Sequence, residues 1–296
     1  LSSMSMNFGY VVAMEKLMDI KVNERVEHIR VVMAELQRIA SHLLCTGVFG
    51  LDLGAFTPFL WALRDRERIL DLFELTCGAR LLYNYMWIGG LSHDIPVGFV
   101  ESTFKFLDYF DPKVDELENI LAHNKILVER SADIGVMPKD VAISYGVTGP
   151  NLRASGVKWD LRKNDPYSIY DRFEFDIPIG EGKKGTVGDC WDRFYVRILE
   201  IRESVKIIRQ ALASMPKDGD VHQSLPKKIR PPKGSVYART ETPRGDLGYY
   251  IESDGTNIPY RLKMRSPAFT SLSVLDEIGS GSVSYTHLTL PTTHWV

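Results

Sequence analysis

A glycine-rich segment with a single carboxylate is the most distinctive chemical feature of this sequence. Residues 47–59 read GVFGLDLGAFTPF and place Asp52 between two long periodic segments. A carboxylate in such a loop usually caps or braces the turn, and residue types alone favour that role. If Asp52 is instead buried among apolar side chains, its pKa rises and it becomes a candidate proton donor or a group that orients one. His93-Asp94, in the loop before Pro96, has the same two interpretations, and bracing is again favoured.

A second candidate is the tract LRASGVKWDLR at residues 152–162, which mixes Arg153, Lys158, Trp159, Asp160 and Arg162. Interleaved cationic and aromatic side chains are one pattern of nucleic-acid binding. The chain, however, has 36 Lys and Arg against 38 Asp and Glu, a formal charge of -2, so no basic field attracts nucleic acid or an anionic bilayer. The tract therefore favours a buried polar network or an interface.

Common catalytic and metal-binding motifs do not occur in the sequence. There is no G-x-S-x-G, no P-loop and no G-x-G-x-x-G, which removes the common hydrolases, NTPases and dinucleotide-binding oxidoreductases. The cysteines Cys45, Cys77 and Cys190 form no C-x-x-C pair, and no two histidines are four residues apart, so we expect no metal site within this chain. No stretch reaches the roughly 18 apolar residues of a spanning helix, so any membrane contact is indirect.

Apolar periodicity predicts a mainly helical chain. Helices are expected over residues 2–20, 24–46, 57–90, 97–109, 112–131 and 192–215, with an ordered, irregular connection over 135–188. The second helix has an apolar stripe and, beside it, a stripe with Glu35, Arg38 and His42. Residues 236–241, 248–253 and 259–265 are β-prone, and Asp254-Gly255 signals a hairpin turn between the last two.

These elements predict an α+β fold, mainly α with a small antiparallel β portion. The expected organisation is a helical core over residues 1–215 and a small β-hairpin region over 216–282. The last segment, VSYTHLTLPTTHWV at 283–296, changes abruptly in composition and is similar to the translated read-through of a sequencing adapter. We therefore expect it to be a non-native tail, against the alternative of a genuine extended tail.

Eight strings together point to one protein family. They are IRVVMAELQRIASHLL, LDLGAFTPF, LFELTCGARL, GGLSHDIPVG, YGVTGPNLRASGVKWDLRK, PYSIYDRFEFDIPIG, GDCWDRFYVR and SDGTNIPYRLKMRSP. In this order they resemble the NuoD-type subunits of respiratory complex I, the proton-pumping NADH:quinone oxidoreductase. The resemblance covers residues 1 to about 281. It implies a helical core like that of the nickel-iron hydrogenase large subunit, in which the metal site has become half of a quinone pocket.

The resemblance also implies partners and a location. The chain itself would bind no cofactor, quinone would be the substrate, and the tetranuclear iron-sulfur cluster would lie in the NuoB-type partner. NuoC-, NuoI- and NuoH-type subunits would be further neighbours. The complex would lie on the cytoplasmic face of the inner (plasma) membrane, or the mitochondrial matrix face in a eukaryote, with membrane contact only through partner subunits.

Site residues follow from the resemblance position by position. Asp52 matches the family aspartate that pairs with a quinone-binding histidine in a proton relay. Leu44, Val48 and Phe59 match positions that line the quinone cavity, and Ser2 falls at its edge. The histidine (in HPxxHG) and a tyrosine ligand (in DRLDY) would precede Leu1, so we expect the chain to be a fragment. Arg80 matches a position near the partner's cluster, but GARLL at 78–82 lacks the histidine of the GARMH found in some members.

Two other functions stay open at this stage. The same fold could serve a ferredoxin- or F420-linked quinone reductase, since the electron donor lies in other subunits; the lack of cysteine pairs argues against a hydrogenase. The chain could also be an assembly scaffold that binds its neighbours without touching quinone.

Overall fold

The computed structural model describes residues 1–226 and 228–279, so the predicted tail at 283–296 lies outside the described residues. The helices are α1 (Ser3–Met18), α2 (Glu24–Asp52), α3 (Phe56–Cys77), α4 (Phe99–Leu121), α5 (Lys125–Ser131), α6 (Lys139–Ser144), α7 (Pro150–Ala154), α8 (Leu161–Asn164), α9 (Cys190–Ser214), α10 (Pro267–Ser273) and α11 (Leu275–Ile278). The strands are β1 (Met86–Trp87), β2 (Gly90–Leu91), β3 (Gly234–Thr242), β4 (Gly245–Ser253) and β5 (Arg261–Arg265). The predicted mainly helical fold with a small antiparallel β portion is confirmed.

Helix α2 runs straight through the glycines that were expected to end it. The predicted end at Thr46 is wrong, because Gly47 and Gly50 lie within the helix, which continues to Asp52. Gly47 instead allows a close approach of α3: a Cβ at this position would lie 3.0 Å from the Cβ of Ala62. The helix stops just before Gly54, which has a φ of +90°. The expected long loop is therefore only residues 53–55.

Helix α3 is shorter than the apolar periodicity predicted. It ends at Gly78, whose left-handed φ of +70° lets its N–H bond to the carbonyl of Glu74. The prediction of one helix to residue 90 is therefore wrong. After this cap the chain forms the antiparallel pair β1–β2, with Met86 opposite Leu91.

Residues 97–131 were predicted as two helices divided before Pro112, and this division is wrong. Pro112 lies inside α4, and the break comes at Asn124 instead. The Asn124 side chain accepts hydrogen bonds from the N–H groups of Ile126 and Leu127, which is a helix N-cap. The irregular segment 135–188 holds the short helices α6 to α8 and one 3-10 turn, Tyr170–Arg172.

Strands β3, β4 and β5 form an antiparallel sheet in that order. The β3–β4 pairing closes at Thr242 opposite Gly245, so Pro243 and Arg244 form the turn. Helix α1 packs against this sheet, with Ala13 and Met14 in one apolar cluster with Leu247 and Tyr249. The sheet thereby holds the Arg244 turn against the helical part.

Helix α2 is the central element and has three different faces. At about 100° per residue, Leu36, Leu43 and Gly47 share the side toward α3, and Glu35, Arg38 and His42 share the side toward α9. The third side includes Leu44, Val48 and Asp52, which lie four residues apart. The first two faces are buried, and the third is partly open.

Candidate functional site

The open face of α2 brings together three of the residues predicted from the sequence. Leu44, Val48 and Asp52 follow one another at four-residue spacing and so form one stripe along the helix. Leu44 is half-buried, Val48 is 37% exposed, and Asp52 is exposed at the last turn. The described part of the chain therefore leaves Asp52 exposed.

Asp52 lies at a position where a carboxylate is unfavourable unless a cation is nearby. It is the last residue of α2, where the unpaired carbonyls form the negative end of the helix dipole. A carboxylate at this end is stabilised by a nearby cation. Among the described residues Asp52 makes no side-chain hydrogen bond or ion pair, so the bracing role favoured by residue types is not seen in this part of the chain.

Helix α3 provides the second wall. Phe59 packs against Gly47: a Cβ at Gly47 would lie 3.4 Å from the Cα of Phe59. The rings of Phe56 and Phe59 are 6.2 Å apart, and Leu60 follows Phe56 by one turn. Phe56 is 57% exposed and Leu60 47% exposed. We call the surface formed by Leu44, Val48, Phe56, Phe59 and Leu60 the α2–α3 face.

The beginning of the chain lies against the same side of α2. The Gln37 side-chain amide donates to the carbonyl of Leu1 at 3.0 Å, and the guanidinium of Arg244 donates to the hydroxyl of Ser41 at 2.8 Å. Gln37 and Ser41 continue the stripe toward the N-terminal end of the helix. Ser2 is buried here, one residue after Leu1.

This end of the stripe has a positive potential. The positive charges of Arg244 and Arg66 both act on the backbone at Leu1. Neither arginine forms an ion pair with a carboxylate among residues 1–226 and 228–279. Arg244 was missed in the sequence analysis. It lies in a tight Pro-Arg-Gly turn, and a turn signal says nothing about the distant helix against which the turn packs.

A cavity of about 440 Å³ opens beside the stripe. Its walls include Cys45 and Phe49 of α2, Phe194 and Arg197 of α9, and Arg244. The predicted quinone residues do not line it. The cavity and the α2–α3 face meet along α2, where Leu44 and Cys45 are neighbours in sequence.

Arg80 lies apart from this face, in a surface group of charges. Its guanidinium contacts Asp71 at 2.6 Å and Glu74 at 3.0 Å, and it also pairs with Glu67. The hydrogen bonds that Arg80 donates to Asp71 and Glu74 raise its pKa. The Arg80 side chain is partly exposed and lies among these three acids.

The 152–162 tract forms the buried polar network that its composition favoured. Arg153, Asp160 and Arg162 are almost completely buried, while Lys158 and Trp159 are exposed. Arg162 contacts Asp160 at 2.7 Å and Glu35 of α2 at 3.2 Å.

Arg153 joins this network to two further elements. It contacts Glu200 of α9 at 2.7 Å and Glu241 of β3 at 3.0 Å. Glu200 in turn lies 2.8 Å from His42 of α2, and Arg38 contacts Glu35 at 3.1 Å. We call this set the buried cluster; its members are Glu35, Arg38, His42, Arg153, Asp160, Arg162, Glu200 and Glu241.

Burial acts in opposite directions on the cluster's acids and on its imidazole. Burial raises the pKa of Glu241 to about 7, and the nearby Asp160 carboxylate raises it too. Burial lowers the pKa of His42 to about 4, although Glu200 opposes this shift. For Glu35 burial also raises the pKa, but Arg38 and Arg162 outweigh it and hold the pKa at about 2.

Glu200 and Glu241 were not recognised from the sequence. Glu200 sits in a helix rich in charged residues, and Glu241 in a strand, so neither has a local signal that marks it as buried. The stripe of Glu35, Arg38 and His42 was the available signal, because a charged stripe next to an apolar one on a central helix needs buried partners.

The second ambiguous carboxylate, Asp94, braces its loop as residue types favoured. It accepts a hydrogen bond from the N–H of Ile95 at 2.8 Å and pairs with Arg25 at 2.9 Å. His93 bonds to the carbonyl of Thr76. Both side chains therefore tie the β1–β2 region to α2 and α3.

Within residues 1–226 and 228–279, no group of three or more His, Cys, Asp or Glu side chains is arranged to hold a metal ion. In the same residues, no helix is both long and apolar enough to cross a bilayer.

Comparisons with known proteins agree with this fold. The family profile "Respiratory-chain NADH dehydrogenase, 49 Kd subunit" matches residues 52–231 and 220–285. A D-type NADH-quinone oxidoreductase subunit from Chlorobaculum tepidum is 52% identical over 286 residues, which is 96% of this chain and 72% of that relative. A second subunit of this type, from Cytophaga hutchinsonii, is 50% identical over 287 residues, 94% of this chain and 73% of the relative. The chain therefore belongs to the family of the 49 kDa subunit of the respiratory-chain NADH dehydrogenase.

Proposed function

We propose that this chain forms one wall of the cleft in which NADH:quinone oxidoreductase reduces quinone. The observation that carries the proposal is the open, mainly apolar stripe of α2, which ends in the carboxylate of Asp52 and is completed by Phe59 of α3. A quinone has a flat ring and an apolar tail, and both need apolar walls with a few polar groups. Leu44, Val48 and Phe59 would contact the ring and the first part of the tail.

Protonation of the ring is the chemical task of the polar groups. Reduction by two electrons makes the quinone oxygens basic, and groups beside them must supply or orient protons where bulk water is excluded. Asp52 would hold a protonated imidazole in place, as a carboxylate orients a histidine at many sites. The unpaired charges of Arg66 and Arg244, at the Ser2 end of the stripe, favour negative charge on a quinone oxygen.

The electrons would come from a tetranuclear iron-sulfur cluster in the NuoB-type partner. The cysteines of this chain do not suit such a cluster. Cys45, Cys77 and Cys190 are distant in sequence, and burial raises the pKa of Cys77 to about 12, which disfavours the thiolate that a metal needs. A partner that covers the α2–α3 face would both bury Asp52 and bring the electron donor close.

The same proposal specifies which subunits would surround this chain and on which side of the membrane the complex would lie. The NuoB-type subunit would cover the α2–α3 face, and NuoC-, NuoI- and NuoH-type subunits would cover other surfaces. Arg80, at the surface with its three acidic neighbours, would face the cluster-bearing partner. The whole assembly would lie on the cytoplasmic side of the membrane, or the matrix side in a eukaryote, and touch the bilayer through the other subunits.

Asp52→Asn in the complete subunit, within the assembled complex, tests the proposal. We expect normal assembly and a quinone reductase activity at least about tenfold lower, because the amide no longer holds a charged imidazole. NADH oxidation by an artificial acceptor that takes electrons before quinone should not change. Asp140→Asn, at an exposed aspartate of α6, is the matched control and should keep full activity. Normal quinone turnover in Asp52→Asn contradicts the relay.

Photoaffinity labelling with a quinone analogue separates the quinone site from a scaffold role. In the intact complex we expect the label on the peptides that contain Leu44, Val48 or Phe59, and we expect excess quinone to prevent it. Label confined to other subunits would favour a scaffold.

A further inference from the structure

The buried cluster has more acids than bases. Its carboxylates are Glu35, Asp160, Glu200 and Glu241, and its guanidiniums are Arg38, Arg153 and Arg162. All are nearly inaccessible to water, where an uncompensated charge is strongly unfavourable. With His42 neutral, four carboxylates against three guanidiniums leave one negative charge without a partner. One bound proton makes the cluster neutral.

The contacts show which acid has the least compensation. Glu35 contacts two guanidiniums and accepts hydrogen bonds from Tyr170 and Ser204, each at 2.7 Å. Asp160 also contacts two guanidiniums. Glu241 has one, Arg153 at 3.0 Å, and a long bond of 3.4 Å from the N–H of Leu161.

Glu200 is the other acid with only one guanidinium, but it also contacts His42. Three further groups face these sites, and none of them bonds to the Glu241 carboxylate among the described residues. Asp246 of β4, opposite Glu241 in the sheet, pairs with Arg239 at 3.4 Å. Arg197 of α9 lowers the pKa of His42 by its charge, which helps to keep the imidazole neutral. Tyr167 donates to the backbone carbonyl of Glu241 and so adds no charge.

Helix α2 separates this cluster from the α2–α3 face. At about 100° per residue, Leu44 is about 200° around the helix from His42, and Val48 about 240°. Measured the shorter way around the helix, His42 is therefore separated from the face by about 160° at Leu44 and about 120° at Val48, and the cluster and the face are roughly 10 Å apart. Protein between two charges screens them less than bulk water does, so a charge on one side acts on the other.

We propose that the buried cluster holds one exchangeable proton at neutral pH, on Glu241, and that negative charge on the outer face of α2 makes the cluster bind this proton more tightly. When electrons reach a quinone on that face before its protons do, the fraction of clusters that hold this proton rises; the proton comes from water, and no bond of the quinone is involved. The role of this proton in quinone reduction rests on the proposed function, but its presence on Glu241 does not. Arg153 does not lose a proton at these pH values. Charge on the outer face of α2 therefore changes the proton affinity of Glu241 only by electrostatic interaction.

Infrared difference spectroscopy of the complex detects the proton directly. The carbonyl stretch of a protonated carboxyl group is shifted by H2O–D2O exchange and titrates with pH. We expect a band that titrates near pH 7 in the unmodified complex and is lost in Glu241→Gln. Glu203→Gln, at a buried acid outside the cluster that pairs with Lys206, is the control and should keep the band. If no such band titrates between about pH 6 and 8, or if Glu241→Gln keeps it, the proposal is overturned.

A second pair of variants tests the coupling without quinone and without changing the cluster. Val48→Glu places a negative charge on the exposed face of α2, and Val48→Gln has nearly the same shape without the charge. We expect the band of Val48→Glu to titrate about half a pKa unit to one unit higher than that of Val48→Gln. Equal midpoints would overturn the coupling. Because no quinone is present, this result does not depend on the proposed function, which the Asp52→Asn and labelling experiments test separately.

Discussion

At the scale of single residues, His42 and Glu241 affect stability in opposite ways as the pH changes. The folded pKa of His42, about 4, lies below its ordinary 6.5, so between these values the unfolded chain holds more protons and the free energy of unfolding rises with pH. The folded pKa of Glu241, about 7, lies above its ordinary 4.5, so in that window the folded chain holds more protons and the free energy of unfolding falls as pH rises. The two slopes nearly cancel.

Removing either group should therefore leave the pH dependence of the free energy of unfolding that the other group causes. In Glu241→Gln we expect the free energy of unfolding to rise with pH between about 4.5 and 6.5, and in His42→Gln we expect it to fall, each by at most about 1.4 kcal/mol per pH unit. Urea denaturation of the chain at a series of pH values measures both. The unmodified chain should vary less than either variant in this window. Slopes of the same sign in the two variants would contradict the assignment.

Residue types alone could not locate these charges. The sequence indicated a buried polar tract around Arg153 and a charged stripe on α2, and the structure joins the two. Their partners Glu200 and Glu241 come from elements that are distant in the chain, so only tertiary packing brings them together. Asp52 shows the opposite limit: the sequence predicts its role through the family resemblance, but the described residues leave it exposed.

At the scale of elements, the β3–β4 turn is positioned by a close crossing of two backbones. A Cβ at Gly149, just before α7, would lie 2.4 Å from the Cα of Gly245 in this turn. Gly149 also has a φ of +71°, which favours glycine. The crossing fixes Arg244 over Ser41, and thus fixes one charge at the end of the α2 stripe.

Gly149→Ala should destabilise the chain by more than about 2 kcal/mol, since backbone atoms must move in addition to the cost of the left-handed conformation. Gly146→Ala is the matched control: its φ is +68°, but a Cβ there meets nothing within 4 Å. It should cost only about 1 kcal/mol. Thermal or urea denaturation compares the two. Equal losses would show that the crossing is not tight.

The errors in predicting elements have a common physical cause. Periodicity gave most helices and the sheet, but glycine and proline were assigned roles that depend on their surroundings. Gly47 lets α3 approach and does not end α2, and Pro112 stays within α4. Gly78, in contrast, ends α3 through its positive φ. Composition cannot distinguish a glycine that allows two helices to approach closely from a glycine that ends a helix through a positive φ.

At the scale of the whole molecule, the α2–α3 face is an apolar surface that a partner subunit would cover. Phe56 and Leu60 lie one helical turn apart, and both are about half exposed. Apolar side chains grouped in this way on a surface are typical of an interface. The ring contact of Phe56 with Phe59 extends the surface toward Gly47 and the α2 stripe.

Replacing Phe56 and Leu60 together by serine should weaken assembly of the complex without unfolding the chain. Both side chains are largely outside the core, so the loss of folding stability should stay below about 1 kcal/mol. A partner bound to this face would lose two apolar contacts. Co-purification of the NuoB-type subunit with the variant measures the effect. The control is Val97→Ser, at a fully exposed apolar residue remote from this face in sequence, which should assemble normally. If the double variant retains the partner as well as the control does, another surface of the chain must form the contact, and the quinone cleft cannot lie between the α2–α3 face and that subunit.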